Sequence, residues 1–335
     1  MRTHSQKITP EKLKQNHPEI TVVLGGYGTA IFKEPFEISK KLKEHADFIS
    51  FGEGLSFMNS LICDKWNIKN ASELKQDLLP SKNSFFRTRI ELFKQIILVN
   101  GLGCVYGCSF CATSGQFNRK YVSLFSGEAL FKCLQEQNKK YPKVQSAIIY
   151  DEDFLLDKKK VLEFKKHFEQ SDLKKQAILL TVFASVKSIQ NYTIEELIAC
   201  GIGTIFIGVE SFNDDVVSSE GLTKRTGEIE DLFLQLHSNG INTLGSLIIG
   251  WDSQTGEVAK ADSQKFIEIN PTFYQVVPLH AVPGTKLWED MKLQDRIPHN
   301  YTIVQDGIND FNFNLQNFSY TWALDLISAT YKGLV

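Results

Sequence analysis

Three cysteines fall within eight residues, at Cys104, Cys108 and Cys111, in the run Gly103-Cys104-Val105-Tyr106-Gly107-Cys108-Ser109-Phe110-Cys111 that follows the apolar stretch Ile96 to Val99. Three thiolates can hold three irons of a four-iron cluster, so the CxxxCxxC spacing leaves the fourth iron open to another ligand. Glycines at 101, 103 and 107 let the backbone wrap a bulky inorganic cube, and amide N–H groups near its sulfurs would tune its potential. Zinc, the main rival, wants a closed set of four N or S ligands, and no CxxC or HxxxH partner motif accompanies the run. Three buried free thiols are the chemically empty alternative. Cys63, Cys133 and Cys200 each lie on an apolar segment and read as buried small hydrophobes. Six cysteines so unevenly spaced do not make a disulfide scaffold.

Positioning such a loop is the work of the elements around it. From about residue 96, short β-branched runs alternate with helical patterns. The expected strands are Ile96 to Val99, Gln145 to Tyr150, Ala177 to Phe183, Thr204 to Gly208, Thr243 to Ile249 and Phe273 to Pro278. Helical spacing is plain at Val161, Leu162, Phe164 and Phe168, and again at Ile229, Leu232, Phe233 and Leu236. Six strands with intervening helices predict an α/β fold with a parallel sheet, either open or closed part-way as a (β/α)6 barrel. Ligands in such folds meet the C-terminal strand ends. The cysteines, Asp151-Glu152-Asp153, Glu210-Ser211 and Gly250-Trp251-Asp252 all fall at such ends.

The 335 residues suffice for one large domain and an appendage, and 42% hydrophobic with 23% charged residues is an ordinary globular balance. Thirty-seven basic against 39 acidic residues, a formal charge of −2, give no overall attraction to nucleic acid or anionic membrane. Met1 to Pro18 lacks the apolar core of a secretion signal, and no apolar run approaches the roughly 18 residues of a membrane span. A cytoplasmic protein is expected.

CxxxCxxC with Phe110 immediately before the third cysteine resembles the radical S-adenosylmethionine superfamily. The resemblance implies a [4Fe-4S] cluster on Cys104, Cys108 and Cys111, with the methionyl amino and carboxylate groups of S-adenosylmethionine on the unique iron. One electron then cleaves the sulfonium, typically giving a 5′-deoxyadenosyl radical that abstracts hydrogen from substrate. The cofactor carries this chemistry and the protein positions it, so no catalytic base or nucleophile is expected. Tyr150-Asp151-Glu152-Asp153-Phe154 looks like the family's acidic turn after the second strand, whose carboxylates would receive an ammonium or ribose hydroxyls; read blandly, Asp153 and Asp157 are turn and cap residues. Ile207-Gly208-Val209-Glu210-Ser211 resembles the fourth-strand GxES, whose polar pair faces the cofactor. Ser246-Leu247-Ile248-Ile249-Gly250 resembles the segment along adenine, implicating Ser246, Ile248 and Gly250, with Ser246 in place of the usual glycine. Pro283-Gly284-Thr285 is similar to the PGT turn after the sixth strand. The third strand lacks an arginine found near the cofactor carboxylate in many relatives, with Ser185 or Lys187 as substitutes.

The first 75 residues carry a different pattern. Thr21 to Leu24 reads as a strand entering Gly25-Gly26-Tyr27-Gly28, Ile38 to His45 as a helix, and Asp47 to Ser50 as a second strand ending at Gly52-Glu53-Gly54. The fragment resembles the last third of the Rossmann-like cobalamin-binding domain that precedes the radical domain in one subfamily, which implicates Gly25 and Gly26 near the corrin's nucleotide tail. The earlier part, with its AspxHisxxGly cobalt-ligand segment, is not present in this sequence. A truncated relative, a second polypeptide completing the sheet, and loss of cobalamin binding are the alternatives. The expected division is 1–75 as the cobalamin-domain fragment, 76–95 as linker, 96–290 as radical core and 291–335 as C-terminal extension. Within the extension Phe311, Phe313, Phe318, Tyr320, Trp322 and Tyr331 would cap the barrel or simply pack a terminal helix.

The expected function is reductive cleavage of S-adenosylmethionine to modify a small molecule, cobalamin-linked C-methylation being favoured, with an electron donor such as flavodoxin or ferredoxin. The other candidates are a transfer-RNA methylthiotransferase, disfavoured by the neutral charge, and a non-catalytic iron-sulfur protein or partner subunit.

Overall fold

Val, Ile, Leu and Phe concentrated in short runs bounded by Gly, Asn and Asp fold as one parallel sheet in the computed structural model, which describes residues 9–67, 95–222, 228–299, 301 and 310–335. Its strands are β1 (Ile96–Val99), β2 (Ser146–Tyr150), β3 (Leu179–Ala184), β4 (Ile202–Glu210), β5 (Asn242–Ile249) and β6 (Phe273–Pro278), hydrogen-bonded in chain order with β1 and β6 at the edges. This is the predicted partial (β/α)6 barrel. β3 starts later than expected because Ala177 adopts a left-handed turn, φ 54°, after the short helix Asp172–Lys175.

Alternation decides which side chains form the core. In β4, Ile205, Ile207 and Val209 are fully buried and the intervening residues are half-exposed. Helix Gly127–Lys140 buries Leu130, Phe131, Cys133 and Leu134 on one stripe, and helix Lys158–Glu169 buries Val161, Phe164 and Phe168 on another. Side-chain caps fix where these helices begin: Ser126, Asp157, Thr255 and Thr285 each accept a first-turn N–H. Asp157 is therefore a helix cap, and Asp153 is not. Cys133 and Cys200 are buried as expected, whereas Cys63 is only half-buried.

The N-terminal strands shrink to Val23–Leu24 and Phe48–Ile49, a parallel pair. Tyr27–Lys33 forms a 3-10 helix, and helices Glu37–Lys43 and Gly54–Trp66 follow. The region docks on the core through Glu34, whose carboxylate accepts from the Trp288 indole (2.9 Å) and from the Lys292 ammonium (2.9 Å). The expected linker lies almost wholly outside the described residues, as do 68–94 in general. At the other end, helix Tyr320–Gly333 packs beside β6, and the Tyr331 hydroxyl accepts the Val276 N–H at 2.9 Å. Phe311 and Phe313 are buried, Tyr320 is exposed. Among the described residues no helix is long and apolar enough to cross a membrane.

Candidate functional site

The cysteine loop is carried by a small antiparallel ribbon that the sequence reading did not include. Gly101–Gly103 pairs with Tyr121–Ser123, and the loop plus helix Ala112–Phe117 lie between these strands. Gly103 has φ 83°, and a Cβ there would run into the Lys120 carbonyl and the Phe117 ring. Only glycine closes the ribbon at that point. Helix Lys286–Leu293 buttresses the loop from below: Thr285 caps it, and the Leu287 N–H donates to the Ser109 carbonyl at 2.9 Å. The Pro283-Gly284-Thr285 turn thus reaches the cysteine loop through the helix it starts.

Cys104 and Cys108 are buried and Cys111 is half-buried. Cys108, Cys111 and Phe110 line a cavity of about 170 Å³ at the C-terminal strand ends, and Glu152, Ser185 and Glu210 line it from across the sheet. The Ser109 hydroxyl, next to Cys108 in sequence, is buried with no hydrogen-bond partner among the described residues. A buried donor beside soft ligands suits an acceptor-rich inorganic cluster. No three His, Cys, Asp or Glu side chains among the described residues converge on one metal-ion position. A cube makes no such demand, because each thiolate binds its own iron, whereas a zinc site gathers its ligands about 2.3 Å from a single point.

The acidic turn divides into three roles. Asp151 is a brace: its Oδ2 accepts from Asn100 Nδ2 (2.6 Å) and the Tyr121 hydroxyl (2.7 Å), tying β1, β2 and the ribbon together. Burial and the adjacent Asp151 charge push the Tyr121 phenol well above its ordinary range, so it stays a donor. Asp153 is buried and accepts from the hydroxyls of Ser185 and Ser188, both at 2.7 Å. Glu152 alone of the three reaches the cavity, where it accepts from the Thr113 hydroxyl at 2.7 Å. Of the two substitutes for the third-strand arginine, Ser185 lines the cavity and Lys187 is exposed.

Glu210 ends β4 at φ 61°, past a register shift between Gly208 and Glu210. A left-handed glutamate is uncommon and costs on the order of 1–3 kcal/mol. The carboxylate folds back over Gly208, where any Cβ would meet Glu210 Oε1. The spacing G-x-E is the sequence signal for this arrangement. Ser211, by contrast, is fully buried and donates to Asp262 Oδ2 at 2.7 Å rather than lining the cavity. Ser246 and Ile248 are buried in β5 and Gly250 follows it; none lines the cavity, and Ser246 accepts from Gln275 Nε2 at 3.1 Å. At Gly250, φ 113°, a Cβ would strike Phe311. Trp251 joins the two halves of the site, its ring edge-on to Phe110 at 5.3 Å and its N–H 3.4 Å from the Glu210 carbonyl.

Gly25 and Gly26 lie elsewhere, exposed, and line neither that cavity nor a second cleft of about 690 Å³ whose rim runs between the N-terminal region and helix Ala112–Phe117. Gln116 spans that rim, donating to the carbonyls of Gly26 (3.3 Å) and Gly52 (3.1 Å).

The fold superposes on the radical S-adenosylmethionine methyltransferase TsrM from Kitasatospora setae, solved with tryptophan and an S-adenosylmethionine analogue, with TM-score 0.65 and 16% identity over 89% of this chain and 63% of that one. It also superposes on the cobalamin-dependent S-adenosylmethionine radical enzyme OxsB, with TM-score 0.62 and 16% identity over 91% of this chain and 52% of that one. This chain has the radical S-adenosylmethionine fold. In sequence, the chain is 24% identical to an uncharacterised methyltransferase of Pyrococcus horikoshii, over 84% of this chain and 60% of that protein. The bacteriochlorophyllide d C-8(2)-methyltransferase of Chlorobaculum tepidum is likewise 24% identical, over 87% of this chain and 66% of its own length. The chain therefore spans about 60–66% of these curated relatives. No family model matches it.

Proposed function

We propose that the chain is a radical S-adenosylmethionine enzyme that transfers a methyl group to a small organic substrate. The observation that carries the proposal is the meeting of Cys108, Cys111 and Phe110 with Glu152, Ser185 and Glu210 around one cavity at the strand ends. Cys104, Cys108 and Cys111 would hold a [4Fe-4S] cluster as thiolates. Glu152 and Glu210, both acceptors when ionised, would receive the ammonium and ribose hydroxyls of S-adenosylmethionine. When bound, the pair supplies one-electron reductive cleavage of a sulfonium, with electrons from a carrier of flavodoxin or ferredoxin type. The chain's own residues bind and orient: Phe110, held edge-on by Trp251, would wall the cofactor off from water, and the Thr113 hydroxyl would hold the Glu152 carboxylate in place. The names of the matched relatives, methyltransferases in each case, favour methylation over other outcomes.

Cobalamin is a further proposed cofactor, and the second cleft is its candidate place, bounded by Tyr27, Gly52, Gln116 and Gly284. OxsB is described with aqua-cobalamin bound. Among the described residues no histidine lines this cleft, and cobalt coordination by a wall imidazole is not part of the proposal.

Anaerobic reconstitution with iron and sulfide, followed by S-adenosylmethionine and a reductant, tests the function. A shifted cluster spectrum with release of methionine, 5′-deoxyadenosine or S-adenosylhomocysteine is expected. An unchanged spectrum with none of these products would sink it. Hydroxocobalamin that fails to co-elute with the protein from a desalting column would remove the cobalamin component alone.

A further inference from the structure

A buried carboxylate outside the cavity organises the side of it formed by β4. Asp262, on helix Gly256–Ile269, is 1% exposed. Its Oδ2 accepts from the Ser211 hydroxyl at 2.7 Å and from Gln254 Nε2 at 2.8 Å, and its Oδ1 accepts the Phe212 N–H at 2.9 Å. Gln254, itself fully buried, uses its carbonyl to accept the Gly250 N–H at 2.9 Å. Ser211 Oγ also accepts the Asn213 N–H at 3.1 Å. One carboxylate thus gathers the segments that leave β4 and β5, immediately after the left-handed Glu210. A carboxylate has acceptor capacity and no donor, and among the described residues three donors converge on it. Burying an acid this completely stabilises the fold only where its hydrogen bonds are satisfied, and a plain apolar residue on the same helix stripe as Ala259 and Phe266 would pack at lower cost.

Resting on the cofactor assignment above, we propose that Asp262 is a positioning residue for S-adenosylmethionine: with Ser211 and Gln254 it clamps the exit of β4 so that Glu210 is held left-handed with its carboxylate over Gly208. Ser211 acts in this clamp, one layer behind the cavity. The occupant it serves is a cationic, hydroxyl-bearing ligand that pairs with Glu210, and neither Asp262 nor Ser211 touches that ligand.

The test uses the full chain with its cluster reconstituted, and reads three quantities: iron content, melting temperature and equilibrium binding of radiolabelled S-adenosylmethionine. Asp262→Asn presents an amide donor where three donors already point. It should keep its iron and weaken S-adenosylmethionine binding by about tenfold or more, the equivalent of one charge-assisted hydrogen bond lost. Ser211→Ala, a smaller change, should weaken binding in the same direction. The double variant should be no worse than Asp262→Asn, because both act through one clamp. Wild-type affinity in Ser211→Ala together with Asp262→Asn overturns the proposal, as does additive loss in the double variant. If Asp262→Asn does not fold, unchanged affinity in Ser211→Ala overturns it alone. A wild-type chain that takes up iron and binds no S-adenosylmethionine overturns the cofactor assignment itself, a result separable from any difference between variants.

Discussion

The six-stranded core and the N-terminal region are both parallel α/β structure, and they are held together in opposite ways. In the core, helix Gly127–Lys140 alone buries seven residues, and β4 carries three fully buried aliphatic side chains. In the N-terminal region the parallel pair is two residues long on each strand, helix Pro10–Asn16 buries nothing, and Met58 and Ile62 on helix Gly54–Trp66 are exposed. Apolar area removed from water is worth about 25 cal/mol per Å², so the core stabilises itself. The N-terminal region relies on what it docks against: Glu34 on Trp288 and Lys292, Tyr27 edge-on to Phe117 at 5.9 Å, and Gln116 across the glycine turns. Cysteine loop, Glu152 and Glu210 sit on the self-sufficient side, and the second cleft lies at the seam.

If that contrast is right, the chemistry and the seam can be damaged separately. The largest effect is expected from Cys108→Ala, which should abolish four-iron incorporation while leaving the melting temperature of the apo core unchanged; a full complement of iron would refute the ligand assignment. Next is Glu34→Ala, which leaves the Trp288 N–H without its acceptor and the Lys292 ammonium with only Glu289 at 3.8 Å, and should weaken docking by about 1–3 kcal/mol. Hydrogen exchange should then rise across residues 9–67 and stay unchanged in β2 to β5; a uniform rise would show that the regions unfold as one. A smaller loss, roughly three- to tenfold in S-adenosylmethionine affinity or about 1 kcal/mol, is expected for Gly208→Ala, because the Glu210 carboxylate is the flexible partner that must move. Iron content should not change, and tighter binding would place the Glu210 carboxylate outside the site.

The smallest effect is a pH dependence confined to the N-terminal side. The Lys14 ammonium, then the Val22 N–H, hold the Asp47 carboxyl below its usual range, through contacts of 2.7 Å each. A depressed folded value means the pairing contributes above the unfolded carboxylate value of about pH 4 and is lost as pH falls through the folded one. Mild acid should therefore raise exchange around Val22 to Ile49 before it affects β4, and simultaneous loosening would argue against independent docking.

Much of the core was legible because its signals are local. Phe273–Pro278 and Ile96–Val99 appear with the bounds their β-branched runs suggest, and the cysteine spacing fixes a loop without reference to anything distant. The antiparallel ribbon was not legible, since Gly101–Gly103 and Tyr121–Ser123 are three residues each and carry no periodicity long enough to detect. Asp262 left one trace, an acid on the buried stripe of an amphipathic helix between Ala259 and Phe266. Ser211 reads as a cofactor contact through the GxES resemblance; strand alternation puts it on the face opposite Phe206, Gly208 and Glu210, where it pairs with Asp262.

Residue types and their spacing by themselves determined the parallel sheet, the strand ends at which polar residues collect, and a tri-thiol loop able to leave one iron open. These follow from side-chain period and ligand chemistry, which act over a few residues. Only the tertiary structure decided which acids face the cavity and which hold it in place. Asp151 and Asp153 became braces and Glu152 a wall because the donors that claim them, Tyr121, Asn100, Ser185 and Ser188, arrive from separate segments of the chain, about 30 to 50 residues away in sequence. A buried carboxylate must be satisfied by whatever the fold brings to it.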